Sequence, residues 1–159
     1  MSSKNRRKFL KTAGSSALFA SLGASFFTSC YEKDEEITPN SDNNASEWED
    51  GFNIAGTTIK IDLNHDNFKV LKTSGGWNRF DEGALLIVNV GSDIIRAFTS
   101  ICPHAQCRTS WTYTSENFTC TCHGSIFKND GTFISGPAGQ DLKSYTTKVE
   151  DNILTITED

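Results

Sequence analysis

The chain has no internal repeat and no helical run of apolar positions long enough to build a bundle. Solenoids and helical bundles, whose cores require those patterns, are excluded. Histidine is scarce, with three in 159 residues, and so is cysteine, with five. Basic charge is thin once the first residues are set aside. Residues 1–11 hold Lys4, Arg6, Arg7, Lys8 and Lys11 and no acid, which leaves ten basic against twenty acidic residues beyond them. A net charge near −10 disfavours nucleic acid and bare anionic lipid, and favours a basic protein partner.

Charge of either sign is missing from Thr12 to Ser29. A basic segment followed by a modest apolar one is an export signal, to be left out of the fold argument. Asn5-Arg6-Arg7-Lys8-Phe9-Leu10-Lys11 resembles a twin-arginine signal, the route that carries folded proteins with cofactors already inserted. Phe27-Thr28-Ser29-Cys30 resembles a lipobox, with Cys30 the lipidated first residue of the mature chain. An uncut membrane anchor is the alternative. Five of the eighteen uncharged residues are serines, so that span would be poor. The signal is therefore placed at 1–29 and an acidic tether at 30–50, followed by one domain at 51–159.

The tether opens with Tyr-Glu-Lys-Asp-Glu-Glu, similar to the tag behind the lipid cysteine of surface-exposed bacterial lipoproteins. Residues 31–50 hold eight acids, one lysine and few apolar side chains, a composition expected to stay disordered. Such a chain reaches roughly 25 Å, enough to let a folded domain swing near a membrane.

Within 51–159 the apolar pattern is that of short strands: Thr57–Leu63, Ala84–Val90, Ile94–Thr99, Phe118–Cys120, Tyr145–Val149 and Ile153–Ile156. Turn residues separate them at Gly75-Gly76, Gly91-Ser92-Asp93, Asn129-Asp130-Gly131 and Asp151-Asn152. Ile126-Phe127 and Phe133-Ile134 read as the arms of a hairpin closed by Asp130-Gly131. The pattern predicts an all-β antiparallel sandwich or small barrel. His65, between Asn64 and Asp66, reads as a surface loop residue with no ligand role.

The scarce residues are concentrated. Cys-Pro-His-Ala-Gln-Cys at 102–107 and Cys-Thr-Cys-His-Gly-Ser at 120–125 hold four of the five cysteines and two of the three histidines. Cys102-x-His104 and Cys120-x-x-His123 each offer a thiolate and an imidazole from a tight loop. A mixed set of this kind suits zinc or an iron–sulfur cluster. A structural zinc on these four would leave Cys107 and Cys122 without a purpose, and spare cysteines of an exported protein are normally paired.

The two boxes resemble those of the Rieske iron–sulfur proteins, C-x-H-x-x-C and C-x-C-H-G-S, and Gly136-Pro137-Ala138 resembles that family's proline loop. The resemblance implies a β-fold that holds one 2Fe-2S cluster in two loops at one tip. One iron would sit on Cys102 and Cys120, the other on His104 and His123. It pairs Cys107 with Cys122 in a disulfide that clamps the loops together. Two ferric ions, two sulfides and two thiolates sum to zero with neutral imidazoles, so reduction is easier than in four-cysteine clusters. Potentials of such centres run from about −150 to +300 mV. Ser125 matches the serine whose hydroxyl donates to a bridging sulfide and raises the potential.

Members that hydroxylate aromatic rings need a second, mononuclear-iron domain, for which the chain has no room, so a lone oxygenase is not expected. The disulfide places the chain with the quinol-oxidising and arsenite-oxidase types. Phe127 stands where high-potential members carry a tyrosine, which predicts a lower potential. Ala105-Gln106 replaces the usual Leu-Gly of the quinol-docking tip, and Gly139 replaces a common second proline. Three readings remain. First is an exported, lipid-anchored carrier passing single electrons to a redox partner such as a cytochrome c or an oxidase. Second is the Rieske subunit of a membrane quinol–cytochrome c oxidoreductase or arsenite-oxidase-like complex, with a cytochrome b-type partner. Third is a structural surface lipoprotein with a degenerate site.

Overall fold

The computed structural model describes residues 48–158. The expected signal at 1–29, the expected lipidation site Cys30 and the expected tether up to residue 47 lie outside the described residues. Among the described residues no helix is long and apolar enough to cross a membrane. The domain begins slightly before residue 51: the Gly51 N–H bonds the Trp48 carbonyl at 3.0 Å, so Trp48–Asp50 form its first turn.

Eleven strands follow: β1 Phe52–Ala55, β2 Thr58–Asp62, β3 Trp77–Phe80, β4 Leu85–Asn89, β5 Ile95–Thr99, β6 Trp111–Thr114, β7 Asn117–Cys120, β8 Ser125–Lys128, β9 Phe133–Ser135, β10 Ser144–Glu150 and β11 Ile153–Thr157. They form two antiparallel sheets, β1-β2-β11-β10-β5-β4-β3 and β6-β7-β8-β9. The larger sheet curls until its two edges meet, where Phe52 of β1 packs on Phe80 of β3 with ring centroids 4.8 Å apart. The expected all-β small barrel is thus realised as a half-barrel carrying a second, smaller sheet.

Six expected strands are present within a residue or two of their ends, as are the two arms of the hairpin. Three strands, β1, β3 and β6, were not foreseen. Their sequences, Phe-Asn-Ile-Ala, Trp-Asn-Arg-Phe and Trp-Thr-Tyr-Thr, are only four residues long, too short for alternation to be told from chance. The turn closing β6 on β7 also lacks glycine. Ser115 and Glu116 take φ of 50° and 62°, the left-handed pair of a type I′ turn, without the usual Asn-Gly. Between β10 and β11, Asp151 and Asn152 form the same turn from residues that do favour it.

β4 explains how two sheets share one domain. All five of its residues are buried, and strand alternation divides them between two cores. Leu85 and Ile87 join Ile61, Leu63, Phe68, Leu71, Phe80, Leu154 and Ile156 inside the half-barrel. Leu86 and Val88 face the other way, onto Phe98, Trp111, Phe118, Phe127 and Leu142 beneath the small sheet. Burying each fully enclosed phenylalanine contributes about 2 kcal/mol. The small sheet is inserted between β5 and β10, and its two stems lie together, with the Thr99 N–H on the Lys143 carbonyl at 2.9 Å.

His65 is more than a surface residue. Its ring lies over Gly51, where a Cβ would fall 2.3 Å from the ring. Nδ1 accepts the Asn67 N–H at 3.3 Å, so Nε2 carries the proton and donates to the Glu49 carbonyl at 3.2 Å. Both ring nitrogens are thereby occupied by backbone, and the histidine pins the start of the domain.

Candidate metal centre

The second box is itself a hairpin. Cys120 ends β7, Ser125 begins β8, and the two face each other in register. The Gly124 N–H closes the turn on the Cys120 carbonyl at 2.9 Å, with Gly124 at φ 79°. The first box, between β5 and β6, repeats that geometry: the Gln106 N–H reaches the Cys102 carbonyl at 2.8 Å, with Gln106 at φ 57°. Each loop therefore starts on a cysteine, folds back after four residues and needs a left-handed residue there. Glycine meets that need without strain in the second loop. In the first, Gln106 carries a Cβ into the same region, at a cost of about 1–2 kcal/mol.

The loops are tied together. The Thr121 N–H donates to the Ser110 carbonyl at 2.8 Å, and Cys107 and Cys122 are joined in a disulfide with Cα atoms 6.6 Å apart. Arg79 on β3 fixes the far side of the first loop, donating to the Thr109 carbonyl while its other nitrogens hold Asp81 at 2.7 and 2.9 Å. That pairing holds the Asp81 carboxyl below its ordinary range. Trp111, opposite Cys120 in the β6–β7 register, donates from Nε1 to the Ser100 carbonyl at 2.8 Å and props the base of the loop.

These ties sort the donors into two layers. Cys102 and Cys120 are free thiols, 2% and 1% exposed, buried in the core beneath the small sheet. Burial pushes the Cys120 thiol up to about 11, and the neighbouring Cys102 thiol adds to the shift. His104 and His123 are exposed above them, their rings edge to face with centroids 4.6 Å apart. The sulfurs of Cys107, Cys120 and Cys122 lie within 4.8 Å of one another. Two of these are bonded to each other, so the trio offers one thiol. Two soft sulfur donors below and two imidazoles above fit a cluster with unlike irons.

A third loop covers the site. Gly136, at φ 103°, lies so close to the second box that a Cβ there would meet Ser125 Cα at 2.5 Å and the Gly124 carbonyl oxygen at 2.8 Å. From this loop the Ala138 N–H donates to Ser125 Oγ at 3.1 Å, and Ser125 is 1% exposed. Phe127, two residues on, is wholly buried between Trp111 and Phe133, at centroid distances of 5.7 and 6.0 Å. Ala105 and Gln106 are exposed at the tip. All six box residues singled out from the sequence are thus brought together with Ser125. The roles of Arg79 and Trp111 left no signal in the sequence, because each acts through a contact distant along the chain, whereas Gly136 was already marked by its resemblance to the proline loop.

Residues 56–146 match the family model described as the Rieske [2Fe-2S] domain. The cytochrome b6-f complex iron-sulfur subunit of Chlorobaculum tepidum is 33% identical over 78 residues, 49% of this chain and 42% of that protein. Its counterpart from Prochlorococcus marinus is 33% identical over 72 residues, 45% of this chain and 40% of that protein. The matched region thus spans about two fifths of the length of these curated relatives. Among solved structures, the cyanobacterial plasma membrane Rieske protein from Synechocystis is 31% identical, with a TM-score of 0.45, covering 52% of this chain and 84% of that one.

Proposed function

This chain belongs to the Rieske [2Fe-2S] family, and on that footing we propose that it is an exported, lipid-tethered carrier of single electrons. Cys102, Cys120, His104 and His123 would hold the cluster, with Ser125 placed to donate a hydrogen bond to it. A bound 2Fe-2S cluster takes up and releases one electron at a time. The protein supplies the rest: a dry floor of two thiols, a disulfide that keeps the loops in register, and two imidazoles exposed towards a partner. The observation that carries the reading is this convergence of buried thiols and exposed imidazoles at one clamped tip.

The export signal at 1–29, lipidation at Cys30 and the tether at 30–50 belong to the proposal. They would hold the tip on a short leash at the periplasmic or outer face of a bacterial membrane, within reach of a cytochrome c or oxidase. The relatives favour a second reading, as the Rieske subunit of a membrane quinol-oxidising complex, because they are subunits of the cytochrome b6-f complex. The exposed Ala105 and Gln106 argue against it, since they leave the tip small and polar where quinol docking needs an apolar knob.

Purified protein is expected to be reddish-brown, to carry two irons per chain, and to give the reduced-state EPR spectrum of a histidine-ligated cluster. Colourless, iron-free protein ends both redox readings and returns the structural lipoprotein. The mass of the mature amino terminus separates the first two. Diacylglycerol on Cys30 supports the carrier, whereas an intact Met1 segment that co-purifies with a cytochrome b supports the subunit.

A further inference from the structure

We infer that the 136–138 loop is the positioning element for Ser125, with the Ala138 amide deciding where that hydroxyl sends its proton. Ser125 and Cys120 are cross-strand partners, so their side chains leave the same face of the small sheet, with Cβ atoms about 5 Å apart. A serine hydroxyl rotates freely unless its lone pairs are engaged. Here one lone pair accepts the Ala138 N–H at 3.1 Å, in a site only 1% exposed, where water cannot compete. The remaining proton must then leave on another side of the oxygen, and the buried thiol layer shares its face.

Gly136 makes the latch possible. It brings the loop's backbone against Ser125 so closely that a methyl group would overlap Ser125 Cα and the Gly124 carbonyl, and its φ of 103° is one that other residues resist. Those contacts are backbone on both sides, so neither can swing away. Gly136 and the Ala138 amide are therefore placed to act through Ser125. This inference rests on the reading of the tip as the cluster site, and its test separates the two.

Three cluster-loaded full-length variants decide it: Gly136→Ala, Ser125→Ala and the double. Gly136→Ala is expected to lower the midpoint potential in the same direction as Ser125→Ala and by no more. In the Ser125→Ala background it should produce no further shift, because no hydroxyl is left to orient. An unchanged midpoint in Gly136→Ala, or equal shifts in both backgrounds, overturns the inference. Should Gly136→Ala fail to take up iron, an ester replacing the Ala138 amide removes the donor without adding bulk against Ser125, and an unchanged midpoint there is equally fatal. Amide exchange reads the latch without the cluster's help. The Ala138 amide should be protected in the wild type and lose protection in Ser125→Ala, and equal exchange in the two overturns the latch. An iron-free wild type would defeat the functional reading and leave this last result to judge the latch alone.

Discussion

The half-barrel and the inserted small sheet solve the problem of burial differently. The half-barrel core is mainly aliphatic and is enclosed by seven strands of four to seven residues. The small sheet has four strands of three or four residues, with a register shift between β8 and β9, and its core is aromatic and sulfur-rich. Strands that short are marginal without help, and here the help is a disulfide. Their surfaces differ as well. From Ala97 to Phe127 the only charged residues are Arg108 and Glu116, and 131–140 has none. The body carries most of the charge, while the small sheet and its loops, with Lys128 and Asp130 added, are nearly neutral.

The independence of the two sheets is tested most directly at the buried thiols. Cys120→Ser is expected to abolish iron binding and to raise amide exchange through β6–β9 while β2, β4 and β11 stay protected. Equal loosening of both sheets would show that they unfold as one. Next in size is the disulfide. Replacing Cys107 and Cys122 by serine opens a link across 15 residues of chain, worth about 3 kcal/mol by loop entropy. Denaturant unfolding should show that loss, and exchange should locate it in the small sheet. Phe127→Tyr probes the floor beneath the site. The added hydroxyl is expected to raise the midpoint in voltammetry if it reaches a cysteine sulfur. It also crowds Trp111 and Phe133, costing about 1–3 kcal/mol. The smallest change is Gln106→Gly, which relieves the left-handed strain of the first loop. It should stabilise the chain by about 1 kcal/mol in the same denaturation assay, without moving the body's exchange.

How much of this was legible in the sequence differs between the same two regions. β2, β5, β10 and β11 announce themselves by their β-branched and aromatic residues, and β4, buried on both faces, by a continuous apolar run. β1, β3 and β6 escape because four residues are too few to set a pattern apart, and they are held by pairing and by isolated aromatics. The candidate site was legible for a different reason. Its donors are rare residue types at fixed local spacing, and they sit on two tight loops that local sequence determines. Arg79 and Trp111 escaped because their roles depend on which distant backbone they meet, and for Gly136 the loop was read but not its contact with Ser125. His65 escaped for the same reason: nothing local says that Glu49 and Gly51 lie beneath its ring.

The two adjacent stems at Thr99 and Lys143 make residues 100–143 look like a part that could be lifted out and replaced. β4 sets the terms of any such exchange. Leu86, Val88 and Phe98 belong to the large sheet yet are buried only under the small one. A half-barrel stripped of its tip would therefore present an oily outer wall and seek company. Any replacement head has to bring a matching apolar underside, whatever chemistry it carries on top.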